Sequence, residues 1–200
     1  RDDVVFSSTR LLNEHFPVYP EKARGFLAEF HNRYSADDVI NVLKDLHKQK
    51  VLVIGDAIID EYCYCRVLGH APKDVYITTQ YLREEAFAGG ALAAANHVAG
   101  FCDDVTLVTC LGAQESREQF IRAHLKPNIT PKFFYRDDAP TTVKRRFLEP
   151  AFLRKMFEVC ALVDTPLPEV TARELDSYLD SHLGDYDVVI VTDFGHGFLQ

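Results

Sequence analysis

The sequence predicts an α/β fold with a mostly parallel central sheet, flanking helices, a small lid of β-strands and a helical N-terminal linker. Three nearly continuous apolar runs, rich in β-branched residues, predict central strands at 51–55, 105–109 and 188–192. This composition is typical of strands that are covered on both faces, as in parallel sheets. Helical patterns separate the three runs.

Each helical pattern has its own start signal. The first follows a Gly-Gly pair and covers 90–100. The other two begin with a hydroxyl residue followed three positions later by Gln or Glu, the capping-box pattern. It occurs at Ser116 with Gln119 and at Thr171 with Glu174. We therefore predict helix starts at Ser116 and Thr171.

Two segments with strand character interrupt the alternation of strands and helices. Residues 62–87 alternate around a turn predicted at 69–73, and residues 132–160 contain the pieces KFFYR, TTVKRRFLE and FLRKMFEVC. Turn signals and the lack of helical periodicity favour strands in both segments. We expect them to leave the parallel sheet as a lid, whose strands are candidates for a homodimer contact.

Residues 1–50 are polar and helical in pattern. We predict a short helix after FSST, a helix at 21–34, and a helix at 35–48 that Ser35 and Asp38 start as a capping-box variant. The first residue is Arg1 rather than Met. We expect this region to be a connector and the chain to be a segment of a longer polypeptide.

Net charge, the length of the apolar runs and cysteine spacing disfavour nucleic-acid-binding, membrane-spanning and disulfide-rich secreted proteins. The net charge of −8 disfavours a nucleic-acid or anionic-lipid surface, and no apolar run approaches the roughly 20 residues that span a bilayer. No signal peptide is recognisable. The five cysteines lack disulfide-framework spacing, which favours a reducing cytoplasm. Cys63 and Cys65 share one side of a strand but lack further metal ligands, so we predict no metal site.

Asp56 and Asp60 directly follow the first predicted strand. Ligands of open α/β sheets bind beyond the carboxyl ends of the strands. A carboxylate at this position can accept hydrogen bonds from two sugar hydroxyls. A solvated strand-end aspartate or a helix cap is the alternative interpretation.

Gly89 and Gly90 precede the alanine-rich helix. A Gly-Gly pair lets the backbone approach a ligand, and the helix N-terminus offers free N–H groups. An ordinary turn, followed by small residues for close helix packing, explains the same residues without a ligand.

Taken in order, these motifs resemble the ribokinase-like carbohydrate kinases, the PfkB family. The resemblance covers about residues 51–200 and is nearest to the heptose-phosphate type. It is carried by GDAIID, by AGG opening a helix, by VTLV followed by Gly112, and by TTVKRRF and VVIVTDFGHG. It implies ATP-dependent transfer of phosphate, with Mg²⁺, to a hydroxyl of a sugar or sugar phosphate.

The resemblance implies a role for each matching position. Asp60 would bind sugar hydroxyls, with Asp56 and the backbone of 89–90 beside it. Lys144 and Arg146 lie on one face of a predicted strand and would meet a substrate phosphate. A solvated basic strand face is the alternative for this pair.

The segment after the third strand would lie near the path of the transferred phosphate. Asp193 and Gly195 match the family pattern there. His196 stands where heptose-type relatives carry lysine, and it is a candidate phosphate contact or a solvated loop histidine. Ala93 stands where the family has a sugar-binding asparagine, with Asn96 three residues later. The catalytic aspartate and the ATP-binding part are expected beyond Gln200.

The stretch FSSTRLLN is similar to a segment near the end of cytidylyltransferase-like nucleotidyltransferases. The resemblance implies that Ser7, Ser8 and Thr9 contact nucleotide phosphates, although a plain helix N-cap explains them as well. Such enzymes are known fused to sugar kinases of this family.

We therefore predict two regions with different roles. Residues 1–50 would be the end of a nucleotidyltransferase domain plus a linker, and residues 51–200 part of a carbohydrate kinase domain. The alternative is a catalytically inactive kinase-like domain for sugar binding or dimerisation, attached to an active nucleotidyltransferase.

Overall fold

The computed structural model describes residues 19–70 and 76–199. The chain divides into two compact units, 1–45 and 46–200. In the described part of the first unit, helices α1 (Glu21–Arg33) and α2 (Ala36–Asp45) bury none of their residues. The helix predicted after FSST lies outside the described residues, so that prediction stays open.

Helix α2 begins with the cap that the sequence predicted. The backbone N–H of Ser35 donates to the Asp38 carboxylate at 2.9 Å, and the N–H of Asp38 donates to the Ser35 hydroxyl at 3.1 Å. Two backbone donors at the helix start are thus satisfied reciprocally. The capping-box variant is confirmed.

The second unit begins with a 3₁₀ turn, Leu46–Lys48. Its strands are β1 (Lys50–Gly55), β2 (Ala57–His70), β3 (Ile77–Gly90), β4 (Asp104–Gly112), β5 (Ile129–Arg136), β6 (Thr142–Glu149), β7 (Arg154–Ala161) and β8 (Val188–Thr192). Its helices are α3 (Ala91–Val98), α4 (Glu118–His124) and α5 (Glu169–His182), with a second 3₁₀ turn at Leu183–Asp185. None of the helices in the described ranges is both long and apolar enough to cross a membrane.

The central sheet has the strand order β5-β4-β1-β8, and all of its pairings are parallel. Successive side chains of a strand point to opposite faces. Val51 and Val53 therefore pack on one side of β1, and Leu52 and Ile54 pack on the other. The three predicted central strands and the parallel α/β class are confirmed.

One predicted lid piece belongs instead to the central sheet. KFFYR lies in β5, which pairs in parallel with β4, so its assignment to the lid was wrong. The reason is burial on both faces: Phe133 joins the core on one side of the sheet and Phe134 joins the core on the other. In the sequence, Lys132 lies between apolar neighbours. This alternation is typical of a strand with one exposed face, as expected of the lid.

The predicted starts of two helices were also wrong. Helix α4 begins after Arg117, which has a left-handed backbone with φ of 54°, and no capping box forms between Ser116 and Gln119. Helix α5 begins at Glu169, two residues before Thr171. The Thr171 hydroxyl donates to the carbonyl of Tyr135 at 3.0 Å, so it ties the helix to β5 rather than capping it.

The lid is a second sheet with the order β3-β2-β6-β7. Strands β2 and β3 form an antiparallel hairpin, β6 runs parallel to β2, and β7 runs antiparallel to β6. The predicted lid of β-strands is confirmed, while most of the turn predicted at 69–73 lies outside the described residues. Only Asp56 separates β1 from β2, so the chain passes from the central sheet into the lid at the first candidate aspartate.

Candidate functional site

Asp56 connects three parts of the second unit. Its side chain is buried, and Oδ2 accepts a hydrogen bond from the backbone N–H of Phe194 at 2.8 Å. Its backbone carbonyl accepts from the N–H of Ala91, the first residue of α3, at 2.9 Å. Asp56 is therefore neither solvated nor a helix cap. It joins the end of β1 to the start of α3 and to the loop after β8.

Asp60 lies four residues further on, inside lid strand β2, and is largely buried. Gly89 on β3 is paired with Ile58, two residues earlier on β2, and the Asp60 side chain reaches it diagonally: a Cβ added at Gly89 would lie 2.2 Å from Oδ2 of Asp60. The carboxylate thus occupies the space that any other side chain at position 89 would take. This close approach, not an ordinary turn, accounts for the first glycine of the pair.

Gly90 has a different requirement. Its φ is +56°, a left-handed conformation that favours glycine. A Cβ added there would lie 2.4 Å from the carbonyl oxygen of Asp56. The two aspartates and the two glycines that the sequence predicted as substrate contacts therefore lie together, where β1, β2, β3 and α3 meet.

Arg146 on β6 binds Asp60 in this structure. Its Nη1 donates to Oδ1 of Asp60, and its Nε lies 2.6 Å from Oε2 of Glu158 on β7. The guanidinium also lies 5.4 Å from the ring centre of Tyr62. Burial lowers the pKa of Arg146, but the hydrogen bond and the negative charge of Asp60 outweigh this effect and raise it overall. The guanidinium therefore stays charged.

Lys144 lies opposite Asp60 in the β2–β6 register and opposite Cys160 in the β6–β7 register. Because residues two apart on a strand point to the same face, Lys144 and Arg146 share that face, as the sequence predicted. Glu158 was not predicted. It is one charge among many in the sequence, and only the pairing of β7 with β6 reveals its partner.

The segment after β8 returns to the same region. Asp193 is exposed, and its Oδ1 accepts from the N–H of Gly195, which has a φ of +74°. His196 is not a solvated loop residue: its side chain is 11% exposed, and Nδ1 lies 2.9 Å from Asp164. His196 and Asp56 both line a cavity of about 20 Å³.

The resemblance expects an asparagine at position 93, where this chain has alanine, and Asn96 does not take its place. Its amide nitrogen donates to the carbonyl of His124 at 2.8 Å, and its oxygen accepts from the N–H of Lys126 at 2.9 Å. Asn96 therefore connects α3 to the segment after α4. Ala93 is exposed in the first turn of α3.

The structure leaves two expectations untested, namely the nucleotide contacts of residues 7–9 and the use of ATP with Mg²⁺. Ser7, Ser8 and Thr9 lie outside the described residues. Within 19–70 and 76–199, no three His, Cys, Asp or Glu side chains are arranged to hold a metal ion. The described residues therefore offer no Mg²⁺ site of that kind, and ATP with Mg²⁺ stays an expectation from the resemblance.

Known proteins resemble this chain in sequence. No family model matches it. The D-beta-D-heptose 7-phosphate kinase of Bordetella bronchiseptica is 27% identical over 172 residues, which make up 84% of this chain and 50% of that protein. The chain is a homologue of this sugar-phosphate kinase. The predicted resemblance to carbohydrate kinases of the heptose-phosphate type is thereby confirmed.

A second group of relatives is named bifunctional. The bifunctional protein HldE of Hydrogenovibrio crunogenus is 27% identical over 160 residues, or 79% of this chain and 32% of that protein. The chain thus spans 32% of the length of HldE and 50% of the length of the heptose 7-phosphate kinase. A solved carbohydrate kinase from Agrobacterium tumefaciens superposes with a TM-score of 0.49 at 19% identity, covering 72% of this chain and 45% of that one.

Proposed function

We propose that residues 51–200 are part of an ATP-dependent kinase that transfers phosphate to a hydroxyl of a sugar phosphate. The observation that carries this proposal is the cluster beyond the carboxyl end of β1, where Asp56 follows the strand and Asp60 on β2 packs against Gly89. Acceptor sites of open α/β sheets lie at this end of the strands. The sequence similarity to a heptose 7-phosphate kinase supports the same class of acceptor.

Different residues of the site bind different groups of the acceptor. Asp60 accepts hydrogen bonds from sugar hydroxyls, which orients the ring. Arg146 and Lys144, on the same face of the lid, bind the phosphate that the sugar already carries. Catalysis of phosphoryl transfer consists mainly of positioning and charge stabilisation, so this part of the protein contributes by fixing the acceptor. We assign no catalytic base among residues 19–70 and 76–199.

We extend the proposal to the rest of the protein by the same resemblance. ATP would supply the phosphoryl group and Mg²⁺ would neutralise charge on its phosphates. Residues 1–50 would belong to the end of a nucleotidyltransferase domain and its linker. Ser7, Ser8 and Thr9 would contact its nucleotide, and Asp193, Gly195 and His196 would lie near the transferred phosphate. We propose a cytoplasmic location, no nucleic-acid or membrane partner, and a homodimer formed through the lid.

One feature favours a second candidate function, a kinase-like domain that serves for sugar binding or dimerisation without catalysis. The lid exposes several large apolar side chains, at Tyr81, Phe152, Leu153, Phe157 and Val159. Exposed apolar side chains form contacts with proteins, ligands or membranes when they are contiguous, and we propose a protein contact for those of the lid. Ala93 in place of the family asparagine supports the same alternative.

The decisive experiment is Asp60→Ala in the full-length protein, with a heptose 7-phosphate as the first ligand. Loss of a charged hydrogen bond should weaken binding by about 1.5–3 kcal/mol, or about ten- to 150-fold in Kd. Asp176→Ala, an exposed aspartate on α5, is the matched control. Unchanged affinity in a folded Asp60→Ala variant would refute the site, whereas binding without phosphate transfer in the wild type would support the second candidate.

A further inference from the structure

We infer that Glu158 is a positioning residue that holds the guanidinium of Arg146 beside Asp60. Its effect on ligand affinity rests on the proposed function, but its effect on Arg146 does not. Glu158 lies on β7, the outer lid strand, directly opposite Arg146 in the β6–β7 register. Two carboxylates from the strands on either side of β6 thus bind one guanidinium.

The two carboxylates contact different nitrogens of Arg146. Glu158 Oε2 lies 2.6 Å from Nε, whereas Asp60 Oδ1 accepts from Nη1. A planar guanidinium has a fixed arrangement of donors, so contacts at two nitrogens determine its orientation as well as its location. The ring centre of Tyr62 lies 5.4 Å from the guanidinium, and its hydroxyl accepts a hydrogen bond from Nη1 at 3.4 Å.

Glu158 is itself held from its other side. The thiol of Cys160 donates to Oε1 at 3.2 Å. This hydrogen bond and the positive charges of Arg146 and Lys144 lower the pKa of Glu158, so the residue stays a carboxylate at neutral pH. The result is a continuous row of contacts across the lid, from Cys160 through Glu158 and Arg146 to Asp60.

This arrangement matters for ligand binding because Asp60 and Arg146 are each other's partners. If Arg146 were bound by Asp60 alone, it would be free to rotate onto that carboxylate and cover the oxygens that a sugar hydroxyl needs. The second carboxylate keeps the guanidinium between the two acids. A preorganised cation also loses less side-chain freedom when it binds a phosphate.

The test compares two substitutions of Glu158 in the full-length protein. Glu158→Ala should raise the Kd for a heptose 7-phosphate about tenfold, the effect of about one charge-assisted hydrogen bond. Glu158→Gln keeps an acceptor oxygen for Nε and should bind at least about threefold more tightly than the alanine variant. Glu84→Ala, an exposed glutamate of the same lid on β3, is the control and should bind like the wild type.

A second measurement separates this inference from the proposed function. In protein labelled with ¹⁵N-arginine, the Nε–H signal of Arg146 should be protected from exchange without ligand, and Glu158→Ala should abolish that protection. If the wild type binds no sugar phosphate while the signal behaves in this way, the proposed function fails and the positioning role stands. Unchanged protection in Glu158→Ala, or an alanine variant that binds the ligand as tightly as a wild type that does bind it, would overturn the positioning role.

Discussion

Oδ2 of Asp60 lies where a Cβ of residue 89 would have to be, with only 2.2 Å between them. This relationship joins the two motifs that mark the candidate site, because Gly89 on β3 exists to make room for a carboxylate on β2.

Gly89→Ala should therefore displace the Asp60 carboxylate while leaving the fold intact. The clash is with the end of a side chain, which can move, so we expect only a small loss in thermal stability. Affinity for a heptose 7-phosphate should fall about as far as in Asp60→Ala, at least about tenfold. Gly184→Ala, at a position with open space around it, should change neither quantity. Wild-type affinity in Gly89→Ala would show that the approach of these residues has no part in binding.

Arg136 should contribute to stability in a manner that depends on pH. Its buried side chain makes two hydrogen bonds of 2.8 Å to the carboxylate of Asp138 and lies near the carbonyls of Thr165 and Pro166. Arg136→Ala should lower the free energy of unfolding by about 1.5–3 kcal/mol at neutral pH, measured by chemical denaturation. Arg136→Lys keeps the charge without the paired geometry and should recover only part of this loss.

The pH dependence of that loss follows from Asp138. The hydrogen bond from Arg136 lowers the pKa of Asp138 below its ordinary value of 3.8. A lowered pKa stabilises the folded state above the ordinary value, and this contribution disappears as pH falls through the lowered value. The difference between wild type and Arg136→Ala should therefore be constant near neutral pH and shrink in acid. A difference that grows in acid would contradict the ion pair.

The five thiols should differ sharply in reactivity. All are free, and Cys160 alone among them is exposed. Burial raises the pKa of Cys63 and Cys102, and it raises that of Cys110 to about 12. Because a reagent has to reach the thiol before it can react with the thiolate, an aromatic disulfide reagent at pH 8 should modify the exposed Cys160 first, as peptide mapping would show.

The reaction at Cys160 has its own pH signature. Its hydrogen bond to the Glu158 carboxylate raises the pKa of the thiol above the ordinary value of 9.0. The rate of thiol modification should therefore still increase as the pH passes 9.0. Cys160→Ser should remove the fast phase. A fast phase that survives this substitution would mean that a thiol in the core is accessible.

The lid should mediate self-association. Phe157 is half exposed on β7, the outer strand of the lid sheet, and its ring stacks on Phe147 with 4.5 Å between centres. Phe157→Glu should therefore shift a dimer toward monomer in light scattering of the full-length protein, because it places a charge in an apolar contact. Val170→Glu, an exposed apolar position on α5, is the control. A wild type that is monomeric at high concentration would refute the proposed contact.

The parallel class of the central sheet was predictable because strands that are buried on both faces consist almost entirely of apolar residues. Runs such as VLVI contain no polar residue, and such runs occur where both faces are covered. The lid hairpin was predictable for the opposite reason, since its strands alternate. Strand β5 was predicted as a strand but assigned to the lid, because Lys132 and Arg136 interrupt the apolar pattern of this edge strand.

The sequence by itself determined the parallel α/β class, the lid, and the set of Asp56, Asp60, Gly89 and Gly90 as a candidate site. The class and the lid rest on local signals, namely apolar runs and alternation, whereas the candidate site rests on the resemblance of the combined motifs to a kinase family. The tertiary structure decided which charges face each other. The ion pairs of Arg146 with Asp60 and Glu158 depend on strand register, which brings together residues 86 and 12 positions apart in the chain. The β2–β6 register joins strands that are distant in the chain and depends on the packing of whole elements. In the antiparallel β6–β7 pair, the turn also fixes the register.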